Sequence, residues 1–186
     1  LYGAGQLARR FNLPFRSGGS LCGSKLPDAQ AAYETTHTLN AALLGGVNFM
    51  LHACGWLEGG LVSSFEKFVL DADQLGILHH LARGVSITEN DQALDAIHEV
   101  GPGGHYLGCA HTQANFKEAF WRTEVLDYKP FETWEEEGAK DSMNLAALRV
   151  EQMLANYQKP ILSPDISEAL DAYISNRKSS MPYSFL

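Results

Sequence analysis

Three side chains stand where a fold of alternating strands and helices keeps its chemistry. His52 falls near the carboxyl end of a strand-like run, Val47-Asn-Phe-Met-Leu-His-Ala53. Glu58 follows in Gly55-Trp-Leu-Glu-Gly-Gly60, between a strand end and a glycine pair. His111 stands with Thr112 after a second strand-like run and at a helix start. An imidazole there can move a proton or hold a carboxylate, and a lone carboxylate can act as a base or face a cation. Each also has a plain structural reading: a lumen histidine, an exposed loop carboxylate, a helix-capping histidine.

Aromatic residues gather near the same strand ends or in the helices that follow them: Tyr33, Trp56, Tyr106, Phe120 and Trp121. Ring faces attract cations, and quaternary ammonium groups are a common ligand; core packing is the alternative for each ring. Arg16 closes the first extended run, where a guanidinium can grip a carboxylate with two parallel bonds or pair with a structural acid. Cys22, His52, Cys54, His105, Cys109 and His111 also lie at strand ends. Zinc takes such donors, but neither a Cys-x-x-Cys nor a His-Glu-x-x-His spacing occurs, so a zinc site would have to draw on several strands. No bound metal is expected.

The elements that must position these groups alternate. Leu13-Pro-Phe-Arg-Ser17 is extended and ends in Gly18-Gly19. Pro27 and Asp28 open a helix to about Leu44, which Gly45-Gly46 stops. Residues 47–53 read as a strand with Val47, Phe49 and Leu51 on one side and Asn48, Met50 and His52 on the other. Ser63-Ser-Phe-Glu66 matches a capping box, opening a helix to about Arg83 with Phe65, Phe68, Ala72 and Leu75 on its apolar stripe. A shorter helix is predicted over residues 91–100, a strand over residues 105–109, and a helix capped by Thr112 through Phe120. Residues 121–131 form an irregular connector. Thr133-Trp-Glu-Glu136 predicts one long helix towards Tyr157, and Ser163-Pro164 opens a last one with Ile166, Leu170 and Ile174 on one face. Residues 179–186 carry no pattern.

Strands separated by helices of this size imply parallel pairing. The glycine cluster at residues 101–104 precedes a strand candidate, so it fits a turn and no dinucleotide fingerprint. A (β/α) barrel suits residues 47–53, with the bulky face outward and His52 in the lumen near the active end. Only three or four strand–helix units are present, where a full barrel takes about 250 residues.

Composition narrows the function. The 186 residues hold 14 Lys and Arg against 22 Asp and Glu, a net charge of −8. No basic run is present to neutralise phosphate, so nucleic acid is not an expected partner. The 45% hydrophobic fraction supports a core. Three widely spaced cysteines fit reduced thiols and a cytoplasmic location better than a disulfide framework. Residues 35–57 lack Asp, Glu, Lys and Arg, yet Thr35, Thr36, His37, Asn40, Asn48, His52 and Gly45-Gly46 interrupt them. They read as a helix end, a turn and a strand, with no membrane span. No signal-peptide pattern opens the chain, and Leu1 reads as a cut in a longer protein.

Several motifs occur in order along essentially the whole chain: Leu13-Pro-Phe-Arg16, Ser24-Lys-Leu-Pro-Asp-Ala-Gln-Ala-Ala-Tyr-Glu34, Gly60-Leu61, Ser64-Phe-Glu-Lys-Phe-Val69 with Asp71, Gly104-His-Tyr-Leu-Gly108 with His111-Thr112, Trp134 with Lys140-Asp141, and Ala169-Leu-Asp-Ala172. Together they resemble the trimethylamine methyltransferase family. That resemblance implies the carboxyl-terminal part of a (β/α)8 barrel over residues 1–130, followed by a helical extension over residues 131–186. It also implies methyl transfer from a methylated amine to Co(I) of a separate corrinoid protein that docks at the barrel mouth, and the complete enzyme is expected to be a homo-oligomer.

Some members of the family carry pyrrolysine, at a position near residues 21–27. Here that segment reads Leu-Cys-Gly-Ser-Lys-Leu-Pro, which points to the branch that demethylates quaternary amines such as glycine betaine. A quaternary nitrogen leaves as a neutral amine, so the site must exclude water, surround the cation and align its methyl group. Tyr33, Trp56, Tyr106 and Phe120 are then the expected cation-binding rings, Arg16 a carboxylate grip, and His52, Glu58 and His111 the candidate catalytic groups. Three alternatives stay open: a trimethylamine enzyme cut near a pyrrolysine codon, a zinc-dependent barrel enzyme, and a non-catalytic partial barrel that self-associates through its open edge.

Overall fold

A computed structural model describes residues 1–181. Its elements are α1 (Tyr2–Arg10), β1 (Arg16–Gly18), α2 (Ala29–Leu44), β2 (Phe49–Leu51), β3 (Trp56–Leu57), a 3-10 turn (Glu58–Gly60), β4 (Val62–Ser63), α3 (Phe65–Ala82), α4 (Glu89–Gln92), α5 (Leu94–Val100), α6 (Ala110–Asn115), α7 (Phe131–Glu136), α8 (Ser142–Ala155) and α9 (Pro164–Ser180). Leu1–Gln152 form one compact unit, and the residues from Met153 onward form a second.

The class is mixed α and β. β1 and β2 pair in parallel, Arg16 opposite Phe49 and Gly18 opposite Leu51, with α2 as the crossover. This one β1–α2–β2 unit is the parallel pairing present among the described residues, fewer than the three or four units expected. β3 and β4 form a small antiparallel ladder. The strand expected at residues 105–109 is absent: the segment turns, with Cys109 N–H donating to the Tyr106 carbonyl. Its apolar run of two residues, between Gly104 and Gly108, is too short to bury a strand face.

Asp28 starts α2, its carboxylate accepting from Ala31 N–H at 3.0 Å. Gly46 ends the helix with φ +69°, a conformation glycine adopts without strain. Residues 35–57 thus resolve into helix, turn and strand, and no helix among the described residues is long and apolar enough to cross a membrane. α1, which the sequence pattern does not announce, is tied to the α2 end by Arg9 Nη1 donating to the Gly45 carbonyl at 2.7 Å.

Side-chain directions differ from expectation in three places. Phe49, expected to pack on helices, is 59% exposed. Asn48, expected in a lumen, accepts from Phe15 N–H at 2.8 Å and extends the pairing ahead of β1. α3 is capped by Ser64 rather than Ser63 and buries Lys67, Val69, Asp71 and Leu78, while Phe65 and Phe68 stay exposed. Apolarity alone picked the wrong stripe because Lys67 and Asp71, one turn apart, satisfy each other.

Val69 packs with Val125 and Ala146 in the larger unit's second cluster, and Cys22, Ala31 and Leu57 form another. The short helix over residues 91–100 is two helices, divided at Ala93 with φ +51°. α6 is capped by Cys109 rather than Thr112 and stops at Asn115, well short of Phe120. The long helix expected from Thr133 is also two, because Gly138 (φ +96°) and Ala139 (φ +49°) leave the helical region and Asp141 and Asn144 cap a fresh start. In the second unit, Pro164 occupies the first turn of α9 as expected. α9 continues to Ser180, into the stretch read as patternless, while residues 182–186 lie outside the described residues.

Candidate active site

Ser20, His52 and Glu58 each adopt a left-handed backbone, with φ of +59°, +58° and +49°. Each lies just past the carboxyl end of a strand, β1, β2 and β3 in turn. Non-glycine residues in this region are strained and persist only where surrounding contacts over-determine them, a pattern that clusters at functional sites.

For Ser20 and Glu58 such contacts are present, Ser20 N–H donating to Thr38 Oγ1 at 2.9 Å. Glu58 N–H donates to the Ser24 carbonyl and Gly59 N–H to the Cys22 carbonyl, both at 2.8 Å. Cys22 Sγ donates to the Trp56 carbonyl at 3.1 Å. Glu34 of α2 accepts from Gly23 N–H at 2.5 Å, and Ser24 Oγ donates to Asp28 at 2.8 Å. The loop after β1 is thereby laced to the segment after β2 and to the head of α2. The Asp28 carboxyl is held below the usual range by the Ala31 N–H and the Ser24 hydroxyl, and that of Glu34 by the Gln30 amide.

Beneath the loops lies a buried polar cluster. Lys67 and Asp71 are 2% and 3% exposed and form an ion pair at 2.5 Å. Lys67 Nζ also donates to Thr35 Oγ1 at 2.8 Å. Asp71 Oδ2 accepts from the Ser20 hydroxyl at 2.6 Å and from Gly55 N–H at 2.8 Å. Gly55 has φ +82°, which suits glycine. A cavity of about 300 Å³, lined in part by Thr35, Lys67, Asp71 and Gln74, borders the cluster. Burial pushes the Cys54 thiol up to about 11, with Asp71 adding to the rise, and burial likewise raises Cys22. In both the buried surroundings disfavour the thiolate.

The sequence-derived residues divide. His52 and Trp56 come together edge to face, centroids 5.6 Å apart, on the segment after β2. Glu58 follows, half-buried and in no ion pair among the described residues. Arg16 begins β1 rather than ending it, because pairing starts at Phe49, and so stands at the amino end of the strand. Tyr33 on α2 is 70% exposed and Phe120 78%. Tyr106 is 45% exposed, in a turn. His111 Nε2 lies 2.6 Å from the Asn90 carbonyl, against α4. The structure assembles no cage from the four rings named in the sequence, and the strand-end pair is His52 with Trp56. No three His, Cys, Asp or Glu side chains among the described residues are grouped to hold a metal ion.

Comparison with known proteins matches the sequence to a family. Residues 1–182 fit the family described as trimethylamine methyltransferase (MTTB). The chain belongs to the trimethylamine methyltransferase family. A glycine betaine methyltransferase of Desulfitobacterium hafniense (strain Y51) is 44% identical over 172 residues, 92% of this chain and 36% of that protein. A proline betaine:corrinoid methyltransferase of Eubacterium limosum is 32% identical over 90% of this chain and 35% of its own length. A trimethylamine methyltransferase MttB of Desulfitobacterium hafniense (strain DSM 10664 / DCB-2) is 30% identical over 92% of this chain and 34% of its own length. The chain spans about a third of the length of these relatives.

Sequence reasoning gave Ser20, Thr35, Gly55, Lys67 and Asp71 no chemical role. Lys67 and Asp71 do sit within the motifs that carry the family resemblance, spaced one helical turn apart on a helix otherwise rich in apolar residues. That spacing was the available signal.

Proposed function

We propose that this chain is part of a corrinoid-protein-dependent methyltransferase acting on a quaternary amine, glycine betaine in the first instance. The observation that carries this reading is the 44% identity to a glycine betaine methyltransferase, against 30% and 32% to the trimethylamine and proline betaine enzymes. The β1–α2–β2 unit is the repeat from which a (β/α)8 barrel is built, and the strained residues lie at the strand ends where such barrels hold their substrates.

The reaction needs no proton. The C–N bond breaks with its electron pair going to nitrogen, dimethylglycine leaves, and the methyl group passes to the Co(I) of a partner protein, which is a second substrate. The protein's task is to hold a cation, exclude water and aim one methyl group. In this reading Trp56, with His52 packed against it, supplies a ring face at the strand end, and Glu58 supplies the negative charge that a quaternary ammonium favours. Arg16 and the remaining rings have no assembled contact with this group among the described residues and are given no role.

Full-length protein, its corrinoid partner, a reductant and each of glycine betaine, proline betaine and trimethylamine test the reading. Methylcobalamin and dimethylglycine form fastest from glycine betaine if it holds. A faster reaction with trimethylamine, or no methylcobalamin from any of the three, overturns it.

A further inference from the structure

We propose that Asp71, with Lys67 behind it, is a positioning residue: one carboxylate oxygen sets the distance between the two strand-end loops that carry the site. Asp71 Oδ2 accepts from Ser20, two residues past β1, and from the N–H of Gly55, four residues past β2. His52 and Trp56 flank Gly55 by three residues and one. The backbone between the two rings is therefore tied to Ser20 through one atom, beside the bonds that Cys22 and Ser24 make further along to Trp56, Glu58 and Gly59. Lys67 holds that atom in place from the same helix and reaches across to Thr35 on α2.

Stability alone does not require this arrangement, since well-packed apolar residues often replace a buried ion pair without loss. What apolar residues cannot do is accept the Ser20 hydroxyl and the Gly55 N–H together. Where a methyl group must be aligned with its acceptor, a displacement near 1 Å costs about 100-fold in rate. The proposal rests on the methyl-transfer reading above, and its test separates the two.

Two charge-free double variants of the full-length protein make the comparison. Lys67→Met with Asp71→Asn keeps an acceptor oxygen for both loops; Lys67→Met with Asp71→Leu removes it. The first is expected to keep kcat within about 5-fold of wild type and the second to lose about 30- to 100-fold, with KM moving less than kcat in both. Hydrogen exchange at the Gly55 amide is expected to stay slow in the first and to speed up in the second. Equal kcat and equal Gly55 exchange in the two variants overturn the proposal. Should the Leu variant not fold, Ser20→Ala removes one of the two tethers; unchanged kcat and unchanged exchange across residues 19–24 then overturn it. If wild type transfers no methyl group from any amine, the functional reading fails, and the exchange comparison still decides the positioning role.

Discussion

Residues 16–71 and residues 85–121 were both read from the sequence as carriers of site residues, yet they are built differently. In the first, polar side chains bond across long stretches of chain: Ser20 to Asp71, Lys67 to Thr35, Cys22 to Trp56. Several of these groups are shut away from water, where an unpaired polar atom costs about 2 kcal/mol or more, so their geometry has little freedom. In the second, the bonds are mostly short-range caps, Thr88 with Asp91 and Cys109 with Thr112, and the links from Asn90 to His111 and Asn115 lie at the surface. Val85, Ile87, Leu107 and Phe120 there are largely exposed. Residue type alone marked both regions. Burial separates the one that holds its groups in fixed positions.

The largest test of that contrast is to remove one polar group from each. Asp71→Ala strands a buried lysine and is expected to cost about 3–5 kcal/mol in urea denaturation, whereas His111→Ala removes a surface hydrogen bond and is expected to cost about 1 kcal/mol or less. Equal losses would erase the distinction. An apolar pair sharpens it next. Leu39, fully buried on α2, should lose about 2–5 kcal/mol on replacement by alanine, and Leu107, 77% exposed, should stay within about 0.5 kcal/mol of wild type.

Within the first region, Trp56→Ala is expected to weaken use of a quaternary ammonium substrate by about 0.5–2 kcal/mol, read as a fall in kcat/KM. Tyr106→Ala in the second region should leave kcat/KM unchanged in the same assay. The smallest effect concerns acid. The folded forms of Asp28 and Glu34 hold their carboxyls below the ordinary range, so the stability they add is full above the unfolded values near pH 4 and is lost as pH falls through the lowered folded values. Thermal melting between pH 6 and about pH 3 should fall less steeply in Asp28→Asn than in wild type.

Much of the first region was legible from local signals. Asp28 and the Gly45-Gly46 stop marked α2 because capping and glycine chemistry act within a few residues. The parallel pairing of β1 and β2 followed from the length of the crossover between them. His52 and Trp56 were placed at a strand end by the same alternation that placed the strand, and the structure brings them together. The failures came where local signals were ambiguous. One break, at Gly138 and Ala139, interrupts what reads as one long helix before Tyr157, and Tyr106 lies in a turn that alternation alone presents as a strand. Arg16 moved from the end of a strand to its beginning because register is set by the partner, Phe49, rather than by Arg16's own neighbours.

The sequence by itself determined the family, the acidic balance, the α2 crossover and the strand-end position of His52, Trp56 and Glu58. All of these depend on residue identity and spacing along the chain. Only the tertiary structure decided that Lys67 and Asp71 face inward and that Ser20 and Gly55 meet on one carboxylate oxygen. It alone also separated the Tyr106 and His111 segment from that arrangement by exposure. The charge partner of Asp71 is one turn away on its own helix, but its hydrogen-bond donor Ser20 stands 51 positions earlier in the chain, and the residues between carry no local record of that meeting.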